Sequence, residues 1–463
     1  MKQQPNILLI NCDDLGYGDL GCYGSTRNQT PHLDRLASNG LRLTDFYMAS
    51  PVCSASRAAL LTGCYPNRVG FDRYPVLFPG SPQGLHPQEK TIADYLRGAG
   101  YATKIVGKWH CGDQPEFLPT AHGFDEYFGI PFSNDMGRQQ RAEGPGGAPL
   151  PLLRNDRVIQ QQPDQRGLTE QYTRECLDFM DANQDRPFFL YLAHMYVHVP
   201  LFVPKQFLEA SDNGAYGGAV ACIDWSAGVL VDYLRSRGLL DNTIIIFTSD
   251  NGSRARDEGG SNGELRGTKG TTWEGGQRVP CIIHWPDRIE PGQVVSSVYR
   301  SFDLLPTLCS LAGTSPDPER TIDGIDFSGL LLEGEEAHPE NEMIYYSGRE
   351  LNALRQGAWK LHVNYCQRAH LPDCPEGPTL YNLHDDPGEQ ADVLDRHPEV
   401  VARMLNRLDE IRVLLGDSLT EMEGNGCRSI GHKENARTLT SYDENHPYII
   451  AMYDLPDMPT MVG

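Results

Sequence analysis

Short runs of branched and aromatic residues, each followed by a longer segment whose apolar positions return every three or four residues, fill the first two thirds of the chain. Residues 7–11, 102–106, 188–193, 243–249 and 280–285 are apolar with little alternation, as strands buried on both faces are. Residues 168–183 and 218–237 carry the helical period. A further helix is bracketed between Thr30-Pro31 and Gly40 by a capping residue, a first-turn proline and a terminal glycine. Strands alternating with helices predict an α/β layered domain.

The pattern changes after the acidic, Gly- and Pro-containing stretch 332–339. Residues 343–346, 351–355, 359–363 and 380–383 read as strands whose connections are too short for crossovers, which predicts a small antiparallel sheet. A helix is expected over 398–415, and from Ser418 the chain is polar and irregular. The expected division is therefore a large domain over 1–338 and a small α+β domain with an irregular tail over 339–463. No internal repeat is visible.

Composition narrows the function classes. Hydrophobic residues make up 39% and charged residues 22% of the 463 positions, so a folded globular protein is expected. The net charge of −22 argues against nucleic acid, since phosphate binding needs clustered Lys and Arg. An anionic substrate would have to meet a local cationic pocket. No window of about twenty apolar residues stands out, so no membrane span is expected. The apolar run Ile7 to Ile10 is too short for a signal-peptide core, so the chain as written reads as cytoplasmic, or periplasmic or secreted if it is a processed form. Twelve cysteines are too dilute for a disulfide scaffold; Cys366 and Cys374 flank a short loop and could pair in an oxidising compartment.

Candidate chemistry gathers where strands are expected to end. Asp13-Asp14 follows the first strand and Asp250-Asn251 follows the strand over 243–249. In an open α/β sheet, ligand sites collect at the carboxyl ends of strands. Three carboxylates and an amide oxygen suit Ca²⁺ or Mg²⁺ and suit zinc poorly, although each of these residues taken alone also fits a turn or a helix cap. Lys108 and His110 follow the strand over 102–106, His198 lies beyond the strand over 188–193, and Lys269 follows the aspartate cluster by a loop. Together they would supply the cationic pocket. Cys53-Ser54-Ala55-Ser56-Arg57 precedes an apolar segment, where a cysteine at the start of a helix is ordinarily an inert buried thiol.

Taken in order, Pro5-Asn6-Ile7, Asp13 to Asp19, the Cys53 segment, Gly107-Lys108-Trp109-His110, Ser249-Asp250-Asn251-Gly252, Gly260 to Gly263, Lys269 to Gly276, Leu380 to Leu383 and Asp386 to Glu389 resemble the type I, formylglycine-dependent sulfatases of the alkaline phosphatase superfamily. The pattern is nearest to the arylsulfatase A and N-acetylgalactosamine-6-sulfatase branches. The resemblance implies a large mixed central sheet sandwiched by helices, with a smaller C-terminal domain of antiparallel sheet plus helix. It implies sulfate ester hydrolysis on a sulfated sugar or an aryl sulfate, with 6-sulfated galactose or N-acetylgalactosamine as the first substrate class, and it implies a formylglycine-generating maturase as a partner.

It also implies roles. Asp13, Asp14, Asp250 and Asn251 would hold one Ca²⁺, preferred over Mg²⁺. Cys53, oxidised to formylglycine, would attack sulfur through one hydroxyl of its hydrate; loss of the proton from the second hydroxyl would then expel sulfate and restore the aldehyde. Arg57 would orient the hydrate, His110 would hydrogen-bond its hydroxyl, and Lys108 would clamp the sulfate. His198 and Lys269 would contact the leaving oxygen, with His198 as the preferred proton donor. Two positions depart from the pattern: Ala55 stands where proline is usual, which points to a maturase that tolerates alanine, and Cys64 stands where arginine is usual. Two other functions remain open at this stage, a phosphodiester or phosphonate ester hydrolase of the same superfamily and a non-catalytic protein that binds sulfated glycans. The substrate rim is expected from 131–166, 254–264 and 364–373.

Overall fold

In the computed structural model, residues 4–138, 147–335, 342–365 and 374–448 are described. The strands Thr243–Ser249, Asn6–Cys12, Phe188–Ala193, Ala102–Gly107 and Glu126–Gly129 lie side by side and parallel, forming the middle of an eleven-stranded sheet. Arg278–His284 adds antiparallel to Thr243–Ser249 and is followed by Leu41–Tyr47; Pro151–Arg154 and Arg157–Gln161 extend the other edge antiparallel. The sheet is therefore mixed, as the resemblance implied.

Apolar side chains of the central strand point alternately to the two faces. Ile7 and Leu9 pack with Ala58 and Leu61 of the helix Cys53–Thr62, Leu96 of Ile92–Gly98 and Leu308 of Leu304–Leu311. Leu8 and Ile10 pack with Leu33 of the helix Pro31–Ser38, Tyr172 of Leu168–Ala182 and Ile223 of Gly214–Ser236. Two buried faces explain the unbroken apolar runs, each side chain contributing about 1.5–3 kcal/mol. The helix Gly214–Ser236 is long and apolar enough to cross a membrane, contrary to the reading of the sequence, but most of its apolar stretch is buried in this core. It starts four residues earlier than expected.

Beyond the large sheet, Glu342–Ser347, Glu350–Gln356, Trp359–His362 and Thr379–Asn382 form the expected four-stranded antiparallel sheet. Against it lies the helix Pro398–Leu415, whose buried Val400, Met404, Leu408, Ile411 and Leu415 make one stripe. This core also takes in Ala59, Tyr65 and Phe302, so the small sheet braces the back of the helix that begins at Cys53. The expected boundary at 338/339 and Cys366 of the suggested disulfide lie outside the described residues.

The polar tail does not stay with the small sheet. Gly431–His432 pairs with Gln83–Gly84, Arg428 donates to both oxygens of Glu89 at 2.8 and 3.1 Å, and the Thr440 hydroxyl donates to the Pro149 carbonyl at 2.5 Å. The C-terminal segment thus returns across the larger part of the molecule.

Candidate active site

The central strands are in register at their carboxyl ends: Cys12 pairs with Ser249, Asn11 with Ala193, and Gly107 with Ala193. The loops leaving these strands therefore start at one edge of the sheet. Gly107 must be glycine, because its φ is +110° and a Cβ there would lie 1.8 Å from the Ala193 carbonyl oxygen. Asp14 has a φ of 61°, a left-handed conformation that aspartate tolerates, and with it Asp13 and Asp14 both turn into one cluster.

Two buried cations, Arg57 and Lys108, and the partly exposed Lys269 meet three buried carboxylates one to one. Lys108 Nζ donates to Asp13 Oδ2 at 2.5 Å, Lys269 Nζ to Asp14 Oδ2 at 2.9 Å, and Arg57 Nε to Asp250 Oδ2 at 2.8 Å. Arg57 Nη1 also donates to the Lys108 carbonyl at 3.1 Å, tying the Cys53 helix to the loop after Ala102–Gly107. Burial would raise the Asp13 carboxyl, but Lys108, His198 and Arg57 together hold it well below the usual range. Asp250 goes the other way: burial and the neighbouring Asp13 charge push it up to about 7 against the pull of Arg57. Crowding and burial thus disfavour the Asp250 anion even with Arg57 paired to it.

The oxygen ligands expected from sequence come together unevenly. Asp13, Asp14 and His198 bring ligand atoms within 4.8 Å of one another, whereas both oxygens of Asp250 are engaged, Oδ1 accepting from the Asp14 amide at 3.2 Å. Asn251 donates through Nδ2 to Asp14 Oδ1 at 2.8 Å, which leaves its Oδ1 as an acceptor. Asp13 Oδ1 and Asn251 Oδ1 are buried without a hydrogen-bond partner. Unpaired buried acceptors carry a desolvation cost that a hard cation removes, so this donor set fits a divalent ion that prefers oxygen.

Cys53 is the first residue of its helix, and all ten residues through Thr62 are buried. No side chain caps that end, although the Ala55 amide donates to the Pro75 carbonyl at 3.1 Å, and the helix N-terminus adds a favourable field for an anion. Burial pushes the Cys53 thiol up, with Lys108 and Lys269 drawing it down and Asp13 and Asp250 opposing them. The encoded residue is thus a protonated thiol, a poor nucleophile as it stands.

A cavity of about 390 Å³ opens on this cluster, with Cys53, His110, His198 and Lys269 on its wall; Arg57, Lys108 and the four oxygen ligands do not line it. Each histidine presents one defined nitrogen. His110 Nε2 donates to the Leu77 carbonyl at 2.9 Å, and its Nδ1 is buried and unpartnered. Burial, Lys108 and Arg57 keep this ring neutral, leaving Nδ1 as an acceptor. His198 Nδ1 faces two acceptors, the Val199 carbonyl at 2.5 Å and Asn134 Oδ1 at 3.2 Å, so it carries the proton and Nε2 is the reactive end. Burial and then Lys269 lower the His198 pKa, against Asp14 and Asp13.

Ser133 and Asn134 were missed in the sequence. Ser133 Oγ accepts from Lys108 Nζ at 3.1 Å and lies 3.3 Å from His198 Nε2, and Asn134 fixes the His198 tautomer. They fall within the segment 131–166 expected at the rim, but nothing in a Ser-Asn pair distinguishes a second layer of the site from a turn.

Comparisons with known proteins agree with this arrangement. Residues 5–314 match the family described as Sulfatase. The chain belongs to the sulfatase family. Residues 268–413 also match a family described as the C-terminal part of N-sulphoglucosamine sulphohydrolase. This sulfatase is 42% identical to arylsulfatase A of Homo sapiens over 89% of its own length and 88% of the relative's. It is 39% identical to N-acetylgalactosamine-6-sulfatase of Sus scrofa, over 84% and 81%. A crystal structure of Ps i-CgsB in complex with k-i-k-neocarrahexaose superposes with a TM-score of 0.77 at 32% identity, covering 88% of this chain and 92% of the other. Sulfate ester hydrolysis is the reaction of this family, which generally uses formylglycine and a divalent metal.

Proposed function

We propose that this sulfatase removes sulfate from a sulfated sugar, 6-sulfated galactose or N-acetylgalactosamine being the first class to test, with Cys53 matured to formylglycine and Ca²⁺ as the metal. The observation that carries this reading is the coincidence of Cys53, at the open end of a buried helix, with two orphaned acceptor oxygens and three matched cation pairs beside one cavity. The substrate class is supported by the relative named N-acetylgalactosamine-6-sulfatase and by the related structure with a bound neocarrahexaose.

Asp13, Asp14, Asp250 and Asn251 would hold the cation, which when bound supplies Lewis acidity and charge for the sulfate oxygens. Formylglycine supplies a geminal hydroxyl as nucleophile. Lys108, pinned between Asp13 and Ser133, directs positive charge toward the sulfate, and the Cys53 helix amides add to it. His110, whose Nδ1 is unpartnered, would accept a hydrogen bond from that hydroxyl. Also on the cavity wall, Lys269 would offset charge on the leaving oxygen and His198 would give or take the proton at Nε2, its other nitrogen being fixed by Asn134 and Val199. Arg57 keeps Asp250 and the Lys108 backbone in place.

The test is sulfate release from galactose 6-sulfate, N-acetylgalactosamine 6-sulfate, their 4-sulfated isomers and an aryl sulfate, before and after chelation and with Ca²⁺ or Mg²⁺ restored. The account expects turnover that chelation removes and Ca²⁺ restores best, with 6-sulfates ahead of 4-sulfates. Turnover indifferent to chelation would remove the metal assignment, and equal rates on both isomers would remove the positional one.

A further inference from the structure

Two cations on the cavity wall stand outside the one-to-one matching at the reaction centre, the exposed Arg256 and the buried Arg254, and the buried one has an unused donor. Arg254 lines the same cavity as Cys53 and Lys269, is 9% exposed, and has its Nη1 buried without a hydrogen-bond partner. Its ion pair is a loose one: Nε lies 3.9 Å from Oε1 of Glu258, whose Oε2 also has no partner. Glu258 therefore offsets the far edge of the guanidinium and leaves Nη1 available.

The backbone under Arg254 is fixed to the reaction centre. The Ser253 carbonyl accepts from the Lys269 amide at 2.9 Å and from Asn262 Nδ2 at 3.0 Å, while the Ser253 amide donates to Asn262 Oδ1 at 2.9 Å. Gly252, next in line after Asn251, packs so closely that a Cβ would lie 1.9 Å from the Gly275 carbonyl oxygen. Arg254 is thus held at a set distance from Lys269 by the loop that carries the metal-site residues. Val76, Phe78 and Met136 also line this cavity and give it apolar surface.

We propose that Arg254 binds a second anionic group of the substrate, a carboxylate or a second sulfate on the sugar next to the one being desulfated, while this apolar surface covers the sugar's C–H face. This rests on the sulfated-sugar reading above and narrows it to polyanionic glycans. A guanidinium with a buried open edge is suited to planar or tetrahedral oxyanions, and a cation placed here lets a protein of net charge −22 hold a polyanion.

The experiment uses three disaccharides that share one sulfated sugar and differ only in the neighbouring ring: neutral, hexuronate, or sulfated. Their equilibrium binding to Cys53→Ala protein is compared with binding to the same protein carrying Arg254→Gln or Arg254→Lys, and kcat and KM are measured on the mature enzyme. The expected result is that at least one second anion tightens binding about tenfold or more over the neutral sugar, that Arg254→Gln erases this preference, and that Arg254→Lys restores part of it. The arm that responds separates carboxylate from sulfate. Equal binding of all three sugars, or an Arg254→Gln loss that falls equally on the neutral one, overturns the proposal. If sulfate is released from none of them by mature enzyme while the binding preference stands, the hydrolytic reading fails and the anion site survives.

Discussion

Two buried charge clusters lie on either side of the segment Lys269 to Gln277, and they are built on opposite terms. Beneath the small sheet, Glu274 Oε1 accepts from Lys360 Nζ at 2.9 Å and Tyr345 at 2.8 Å, while its Oε2 accepts from the Tyr47 hydroxyl; Glu389 accepts from Lys360 and His362 through Oε1 and from the Glu274 amide through Oε2. Every carboxylate oxygen there is satisfied. At the reaction centre, with a similar number of charges, the oxygens Asp13 Oδ1 and Asn251 Oδ1 have no partner and a cavity opens beside the cluster; an unpartnered imidazole nitrogen does not separate the two, since His110 Nδ1 here and His362 Nδ1 there are both buried without one. A closed network holds two parts of a fold together; a network left open on one side holds something else. The difference separates architecture from chemistry although the carboxylates of both are buried.

The comparison breaks most visibly at Asp13. Asp13→Asn should lower sulfate release at least about a thousandfold, the equivalent of about 4 kcal/mol in the barrier, while the protein still melts cooperatively; a variant that keeps wild-type turnover would place the chemistry elsewhere. Lys360→Met should do the reverse. It leaves Glu274 and Glu389 buried with one cation fewer, so denaturant unfolding should show a loss of about 3 kcal/mol or more, with turnover per folded molecule largely kept. Loss of activity without loss of stability would make the network under the small sheet part of the site.

A third effect, confined to acid pH, sharpens the comparison further. His122 is buried against Trp109, and burial pulls its pKa down to about 4 against the opposing pull of Asp94 and the Leu85 backbone. The unfolded chain binds a proton near pH 6.5 that the folded one refuses, so stability is present above that pH and is lost as pH falls toward 4, by up to about 1.4 kcal/mol per pH unit. His122→Phe should flatten melting temperature against pH between 6.5 and 4. An unchanged slope would show that other groups carry the acid sensitivity.

Much of the fold was legible because strands buried on both faces leave a plain signal: the runs at 188–193 and 243–249 are strands with those same bounds, and 7–11 gains one residue at each end. Leu41–Tyr47 was not legible, since its half-buried alternation, Leu-Arg-Leu-Thr, follows directly on a helix and resembles a connecting loop. The short strands Pro151–Arg154 and Arg157–Gln161 gave no pattern long enough to read. The tail was unreadable for a different reason: polar segments are positioned by partners distant in sequence, as Arg428 is by Glu89. Arg428 Nη2 also reaches Cys64 Sγ at 3.3 Å, so a guanidinium arrives from the tail at the position where the resemblance led one to expect an arginine in the chain.

The site divides in the same way. Residues that directly follow strands, Asp13, Lys108 and Asp250, were legible from position alone. The orientation of His198 by Asn134, and the engagement of both Asp250 oxygens, depend on side chains meeting in space, and sequence spacing carries no record of that.

The most direct test of the central claim is the mass of the tryptic peptide spanning residues 43–57, taken from a preparation that releases sulfate. A peptide lighter by the difference between a cysteine thiol and an aldehyde would place formylglycine at Cys53, the result this account predicts. Full turnover from protein whose Cys53 remains wholly a thiol would contradict it.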